Sequence, residues 1–267
     1  MHEQALQVAF AGLTLTIVLS VAAWLASLAR RDVSLVDRIW SLLIAGAALA
    51  YLVLFPSPDA RGLCMALLVS IWALRLSLFI TLRNWGRGED RRYQAIRARN
   101  QPGFAFKSLY LVFGLQALLA WTVAMPFLAG MPPGHPLGIL DAVGFALAAA
   151  GIAFEAIADT QLARFKAAPA NTGQVMDRGL WRWTRHPNYF GEACIWWGFW
   201  LIALAAAGWA AAWTLVSPVL MTLLLLKVSG VSLLEQDIGE RRPAYRDYIK
   251  RTNAFVPGPR HPPAQES

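Results

Sequence analysis

The stretch Gly179-Leu180-Trp181-Arg182-Trp183-Thr184-Arg185-His186-Pro187-Asn188-Tyr189-Phe190-Gly191-Glu192 passes from a basic, aromatic turn into an apolar helix within a few residues. Its reading decides the fold. Pro187 has no backbone N–H and a preset φ, which suits the first position of a helix. From residue 188 to 206 the chain is almost continuously apolar, close to the ~20 residues that a helix needs to cross the hydrocarbon core. A helix therefore enters a bilayer at an amino end flanked by Arg182, Arg185 and His186.

Outward from this point, seven apolar runs are long enough to span: residues 5–29, 36–55, 62–82, 108–130, 137–158, 188–206 and 209–235. Turn formers separate them, as in Phe55-Pro56-Ser57-Pro58-Asp59 and Met131-Pro132-Pro133-Gly134-His135-Pro136. The first run lacks a basic leader and is followed by Arg30-Arg31, so it reads as a retained helix rather than a cleaved signal. Twenty-one of the 24 Lys and Arg residues fall on alternate loops, after the first, third, fifth and last runs. The remaining loops hold only Arg61. Positive loops mark the cytoplasmic side. The expected fold is an all-α polytopic protein of seven transmembrane helices, with its amino terminus outside and its carboxyl terminus cytosolic. No linker or internal repeat divides it, so residues 1–267 read as one membrane domain. The Pro-rich end from Pro257 reads as a loosely ordered tail.

Composition agrees. Of 267 residues 57% are hydrophobic and 15% charged, against about 25% charged in soluble domains, and the mean hydropathy is +0.45. The net charge of +8 would also suit a nucleic-acid binder. Here, however, the basic residues interrupt apolar runs and form no soluble module, so nucleic acid is excluded as a partner. Cys64 and Cys194 lie at opposite faces on this topology, and a disulfide is excluded by distance. His2, His135, His186 and His261 show no ligand spacing, and no metal site is expected.

Charged residues inside spans are expensive and face a cavity or a partner. They are Asp37, Arg38, Arg75, Glu155, Asp159, Glu192 and Lys227, all in the cytosolic half of the expected topology. Two readings stay open. The set consists of snorkelling helix ends and structural ion pairs, or it lines one polar cavity open to the cytosol. Glu155 and Asp159 share a helix face, as do Asn188 and Glu192, with Trp196 one further turn along. At the start of the same helix, free N–H groups, the helix dipole, Arg182, Arg185 and His186 form an anion site suited to a pyrophosphate. An interfacial Trp/Arg belt is the alternative. Gly86-Arg87-Gly88 lies in a basic loop and follows no strand, which excludes a Rossmann fingerprint. A Ser-His-Asp hydrolase is unsupported, since no serine elbow exists.

With these residues the chain resembles the steroid 5α-reductase family, above all its bacterial membrane relatives. The similarity lies in Gly179-Leu180-Trp181 with residues 185–192 and Trp196-Trp197-Gly198. It continues in Ala158-Asp159-Thr160-Gln161 with Phe165-Lys166, and in Leu82-Arg83-Asn84-Trp85-Gly86-Arg87. Val36-Asp37-Arg38-Ile39-Trp40-Ser41 and the tail from Tyr245 and Tyr248 through Thr252-Asn253-Ala254-Phe255-Val256-Pro257 complete it. The His-Pro-x-Tyr element and the tail are shared with isoprenylcysteine carboxyl methyltransferases and sterol reductases. The resemblance implies a seven-helix reductase in which NADPH, bound mainly by residues 83–107 and 155–257, donates hydride to the C=C bond of an apolar enone such as a 3-oxo-Δ4 steroid. Its implied cofactor contacts are Asn84, Arg87, Asp159, Lys166, Asn188, Tyr189, Glu192 and Trp196, with Tyr245 and Tyr248 capping the site.

Enone reduction also needs an acid where enolate charge develops. The family's animal enzymes place a Glu on the second span and a Tyr on the third. Here the second span offers Asp37 as the catalytic candidate, and the third has no Tyr, with Trp72 its nearest large aromatic. Asp37 paired with Arg38 or Arg75 is the structural alternative. Three functions compete: this reductase, acting on a hydrophobic small molecule drawn from membrane lipid; an S-adenosylmethionine-dependent membrane methyltransferase; and a non-enzymatic scaffold or lipid binder.

Overall fold

The computed structural model describes residues 2–228, 235 and 243–260. Every regular element among them is helical. The long helices are α1 (His2–Arg30), α2 (Leu35–Leu54) and α3 (Ala60–Arg83), then α4 (Arg91–Arg99) lies in the basic loop. The next span is built in pieces: α5 (Phe104–Ser108), a π-helical stretch (Leu109–Gly114), α6 (Leu115–Val123) and α7 (Met125–Gly130). There follow α8 (Ile139–Ala167), a 3₁₀ turn at Gly179–Arg182, α9 (Pro187–Ala207), a 3₁₀ stretch (Gly208–Leu215), α10 (Val216–Leu223) and the tail helix α11 (Ala244–Arg251).

Six of these helical runs are long and apolar enough to cross a membrane, the last being Pro187–Lys227 with 41 residues. It merges two runs that the sequence separates at Gly208. A straight helix of that length would measure about 60 Å, twice the thickness of the hydrocarbon core. The run is not straight. Trp197 Nε1 donates to Thr222 Oγ1 at 3.3 Å across 25 residues, a separation that an unbroken helix would stretch to nearly 40 Å. Gly208, with φ +59°, breaks the helix between them. Residues 229–234, which end the expected seventh span, lie outside the described residues, as do Arg241, Arg242 and the tail from residue 261.

Although the sequence carries no linker, the contacts form two compact units. One comprises Met1–Ala142 and Trp200–Ser217, the other Val143–Phe199 and Pro218–Ser267. Lipid tails are as apolar as leucine, so close packing and cross-helix hydrogen bonds hold such helices together. In the first unit Ser41 Oγ donates to Ala73 O at 3.0 Å and Ser77 Oγ to Arg38 O at 2.6 Å, joining α2 to α3. Two indoles bridge α1 to the broken span: Trp24 Nε1 to Ala105 O and Trp121 Nε1 to Ala9 O, both at 2.9 Å. Arg61, the lone basic residue on its side of the expected topology, is neutralised internally. Its guanidinium reaches Asp141 at 2.7 and 3.1 Å and His135 O at 2.8 Å.

In the second unit α8 and α9 touch backbone to backbone. A Cβ on Gly151 would stand 2.7 Å from Gly191 O, and one on Gly198 would stand 2.7 Å from Ala148 N and Gly144 O. This spacing of small residues is what allows two membrane helices to approach closely. It also sets Gly191, next in sequence to Glu192, against the Glu155 backbone.

Candidate functional site

The second unit gathers most of the residues singled out in the sequence. α9 begins at Pro187, as its missing N–H requires. From there Asn188 Nδ2 donates to Asp159 Oδ1 at 3.3 Å across to α8, and Trp196 Nε1 donates to Glu192 Oε1 at 2.9 Å within α9. Glu155, Asp159 and Glu192 are each 4% exposed. Three carboxylates and an amide thus occupy neighbouring turns of two helices whose glycines bring them together. Trp196 differs from its expected role as a surface beside the cofactor. It is fully buried, packed against Phe199 with ring centroids 5.7 Å apart, and its N–H serves Glu192.

The turn before α9 is held from two sides. Leu180 N donates to Gln161 Oε1 at 2.9 Å and Trp181 Nε1 to Ala158 O at 3.0 Å, fastening the turn to α8. Gly179 has φ +56°, and its missing Cβ leaves the space that the Gln161 amide fills. The tail closes over the other side. Arg185 N donates to Asn253 O at 2.9 Å and Gly258 N to Trp183 O at 3.0 Å, while Thr184 Oγ1 donates to Phe255 O at 2.9 Å. Arg251 and Arg260 both reach Asp177. Residues 257–260 are accordingly docked, against the expectation of a loose tail from Pro257.

Arg185 and His186 take a partner that the sequence reading missed. Arg185 Nε and Nη2 form a two-pronged pair with Glu235 at 2.7 and 2.8 Å, and Nη1 donates to Ile249 O and Thr252 O. His186 Nε2 lies 2.9 Å from the same carboxylate, and its ring stacks on Tyr189 at 5.4 Å. Both carboxylate oxygens of Glu235 are thus engaged, Oε1 by Arg185 and His186 and Oε2 by Arg185. The Arg185 fork expected to grip a phosphate is therefore engaged by Glu235. Tyr248 likewise turns inward: it is 1% exposed and donates to Trp181 O at 2.5 Å, with burial pushing its phenol above the ordinary range. Tyr245 packs edge-on against it at 5.2 Å. Arg182 and Lys166 remain at the surface.

Asp37, Asn84 and Arg87 belong to the first unit. Asn84 ends α3 as its carboxyl cap, and Arg87 is exposed. Asp37 pairs with neither Arg38 nor Arg75. Its carboxylate accepts from Arg92 Nη2 at 2.8 Å and from the Tyr93 phenol at 2.6 Å, whereas Arg38 turns to Asp32. Arg92 also meets Asp90, which caps α4 by accepting from Arg92 N at 2.9 Å. Beside them Glu89 accepts from Arg97 twice at 2.8 Å and from Val33 N at 2.9 Å. Although burial opposes ionisation, these donors keep the Glu89 carboxyl below its usual range. The basic loop is thus partly neutralised from within. The Asp90-Arg91 helix start was the one local sign of this order.

A curated relative from Schizosaccharomyces pombe (strain 972 / ATCC 24843), "Uncharacterized protein C594.04c", is 26% identical over 273 residues, covering 92% of this chain and 78% of its own. No solved structure matches. The family described as "Protein of unknown function (DUF1295)" matches residues 23–252, most of the length and all of the helices that build the site, and the chain belongs to that family.

Proposed function

We propose that this protein is a membrane-embedded, NADPH-dependent reductase of an apolar enone. The observation carrying the reading is the buried polar face of the second unit: Asp159 with Asn188, Glu192 with Trp196, and Glu155 beside them. Carboxylates and an amide suit ribose hydroxyls and a carboxamide, and ionisable groups gathered at depth in a membrane protein mark a functional face. Exposed Arg182 and Lys166 offer charge for phosphates, and Arg87, exposed in the first unit, carries the same charge; Arg185, held by Glu235, positions the turn instead. When bound, NADPH would supply the hydride. The reading keeps the seven-span arrangement, supported by the Trp197–Thr222 contact, with the site open to the cytosol of a bacterial inner membrane.

The acid that the reaction needs is drawn from Asp37 and Tyr93. The family resemblance calls for a carboxylate and a phenol, and Tyr93, just beyond α3, supplies the phenol that α3 lacks. Burial and the neighbouring Asp37 charge raise the Tyr93 pKa, so the phenol stays protonated at neutral pH and can donate to a developing enolate.

Mass spectrometry of nucleotides released from the purified protein tests the reading, with titration by NADPH, NADH and S-adenosylmethionine. NADPH is expected to bind, and more tightly than NADH by about a hundredfold if two cationic side chains read the 2′-phosphate, at about 1.5–3 kcal/mol each. Binding of S-adenosylmethionine with no response to NADPH would replace the reductase with the methyltransferase that shares the His-Pro-x-Tyr element.

A further inference from the structure

We infer that the first unit carries a separate binding groove for a neutral hydrophobe bearing an alcohol or ketone oxygen, anchored by the hydroxyl of Ser20. A cavity of ≈ 490 Å³ lies between α1 and the π-helical part of the broken span, walled by Ile17, Ser20, Val21, Phe113, Gly114 and Ala117 among others. Its size is within the range of small-molecule sites. The Trp24–Ala105 and Trp121–Ala9 hydrogen bonds fix α1 against the span on either side of it in sequence. The wide π turn, of a kind that recurs at functional sites, and the small residues Gly114, Ala117 and Ser20 leave the space between those two bridges.

Ser20 sets the chemistry. α1 has four hydroxyl side chains. Thr14, Thr16 and Ser27 each donate back to a carbonyl of their own helix at 2.7–2.9 Å, the usual way a hydroxyl is satisfied within a membrane helix. Ser20 is 2% exposed and its Oγ has no partner among the described residues. A hydroxyl left bare in an apolar surrounding is unfavourable, and a guest oxygen would complete it.

Depth narrows the guest. Ser20 stands ten residues from Arg30, about 15 Å along the helix, or half the thickness of the ~30 Å core. Phospholipid oxygens lie at the interface and do not reach that level. No charged side chain lines the groove, which excludes an ionic guest. An apolar molecule with an uncharged alcohol or ketone oxygen meets both conditions.

A diazirine analogue of geranylgeraniol, applied to the full-length protein in lipid–detergent micelles, tests the site. Peptide mapping after irradiation should place adducts within residues 17–21 and 109–118. Ser20→Ala should cut the yield at least fivefold, and Val21→Phe, which narrows the groove but keeps the hydroxyl, should do the same. Ser27→Ala should leave it unchanged. Adducts elsewhere, an unchanged yield in Ser20→Ala, or displacement by dioleoylphosphatidylcholine as effective as by unlabelled geranylgeraniol would each overturn the assignment.

Discussion

Two knots of charge hold the polar parts of this protein, and they differ in how far water reaches them. At Arg185 the guanidinium is 9% exposed and its Glu235 partner 15%, and backbone carbonyls take the remaining donors. At Arg92 the guanidinium is 39% exposed and Asp37 22%, with Asp90 as a second acid. Removing one member of the buried knot strands the other; in the exposed knot, solvent replaces what is lost. The first knot fixes architecture, whereas in the proposed reading the second contributes its acid and phenol to chemistry.

The sharpest way to break that contrast is Glu235→Ala. It leaves Arg185 buried without its carboxylate and should destabilise the protein by about 3–5 kcal/mol, read as a lowered thermal midpoint in detergent. A shift no larger than that of a surface substitution would erase the distinction. Glu235→Gln, which keeps the shape of the side chain but not its charge, should lower the midpoint less than Glu235→Ala, and an equal loss would show that the pair rests on charge alone.

Next in size are Asn188→Ala and Glu192→Ala, each expected to weaken NADPH binding by about tenfold to a hundredfold, the value of one hydrogen bond to a charged group. Their extraction yield should be normal, and unchanged affinity would return both residues to a packing role. The smallest effect belongs to the exposed knot. Arg92→Gln should alter stability by no more than about 1 kcal/mol, and raising the salt concentration should shrink the difference. Tyr93→Phe should lower turnover with an enone while NADPH affinity is kept; turnover equal to wild type would take the phenol out of the reaction.

Residues that act through their own helix were legible in the sequence, and those that act through a distant partner were not. Pro187 starts α9 for a local reason, and the apolar runs announce spans by length alone. The expected fifth run stops at 158 where hydropathy falls, yet α8 continues to Ala167, because helix geometry outlasts the apolar stretch. Asn188 and Glu192 were readable as one face from their spacing. Glu235, by contrast, meets Arg185 across 50 residues, and no periodicity connects them. Asp37 was singled out from its depth in a span, but Tyr93 was hidden in a loop that reads as a block of positive charge. The fold-back near Gly208 is equally non-local, resting on a hydrogen bond between Trp197 and Thr222 that no hydropathy window contains.

The wrapping of the tail around the Arg185 turn also sets an order on biosynthesis. The carbonyls of Ile249 and Thr252 that complete Arg185 lie 64 and 67 residues downstream. At about 5–20 residues per second, the ribosome needs several seconds to make them, while the apolar run between is already entering the bilayer. Until Glu235, 50 residues downstream, is made, the Arg185 guanidinium can be satisfied only by water or by lipid phosphates at the membrane surface, and its Nη1 waits longer still. A chain that ends prematurely before Glu235 would keep α8 and α9, which carry the buried polar face, and still lack the whole clasp. Quality control that senses an unsatisfied cation at the membrane boundary would then recognise such a product by this one turn.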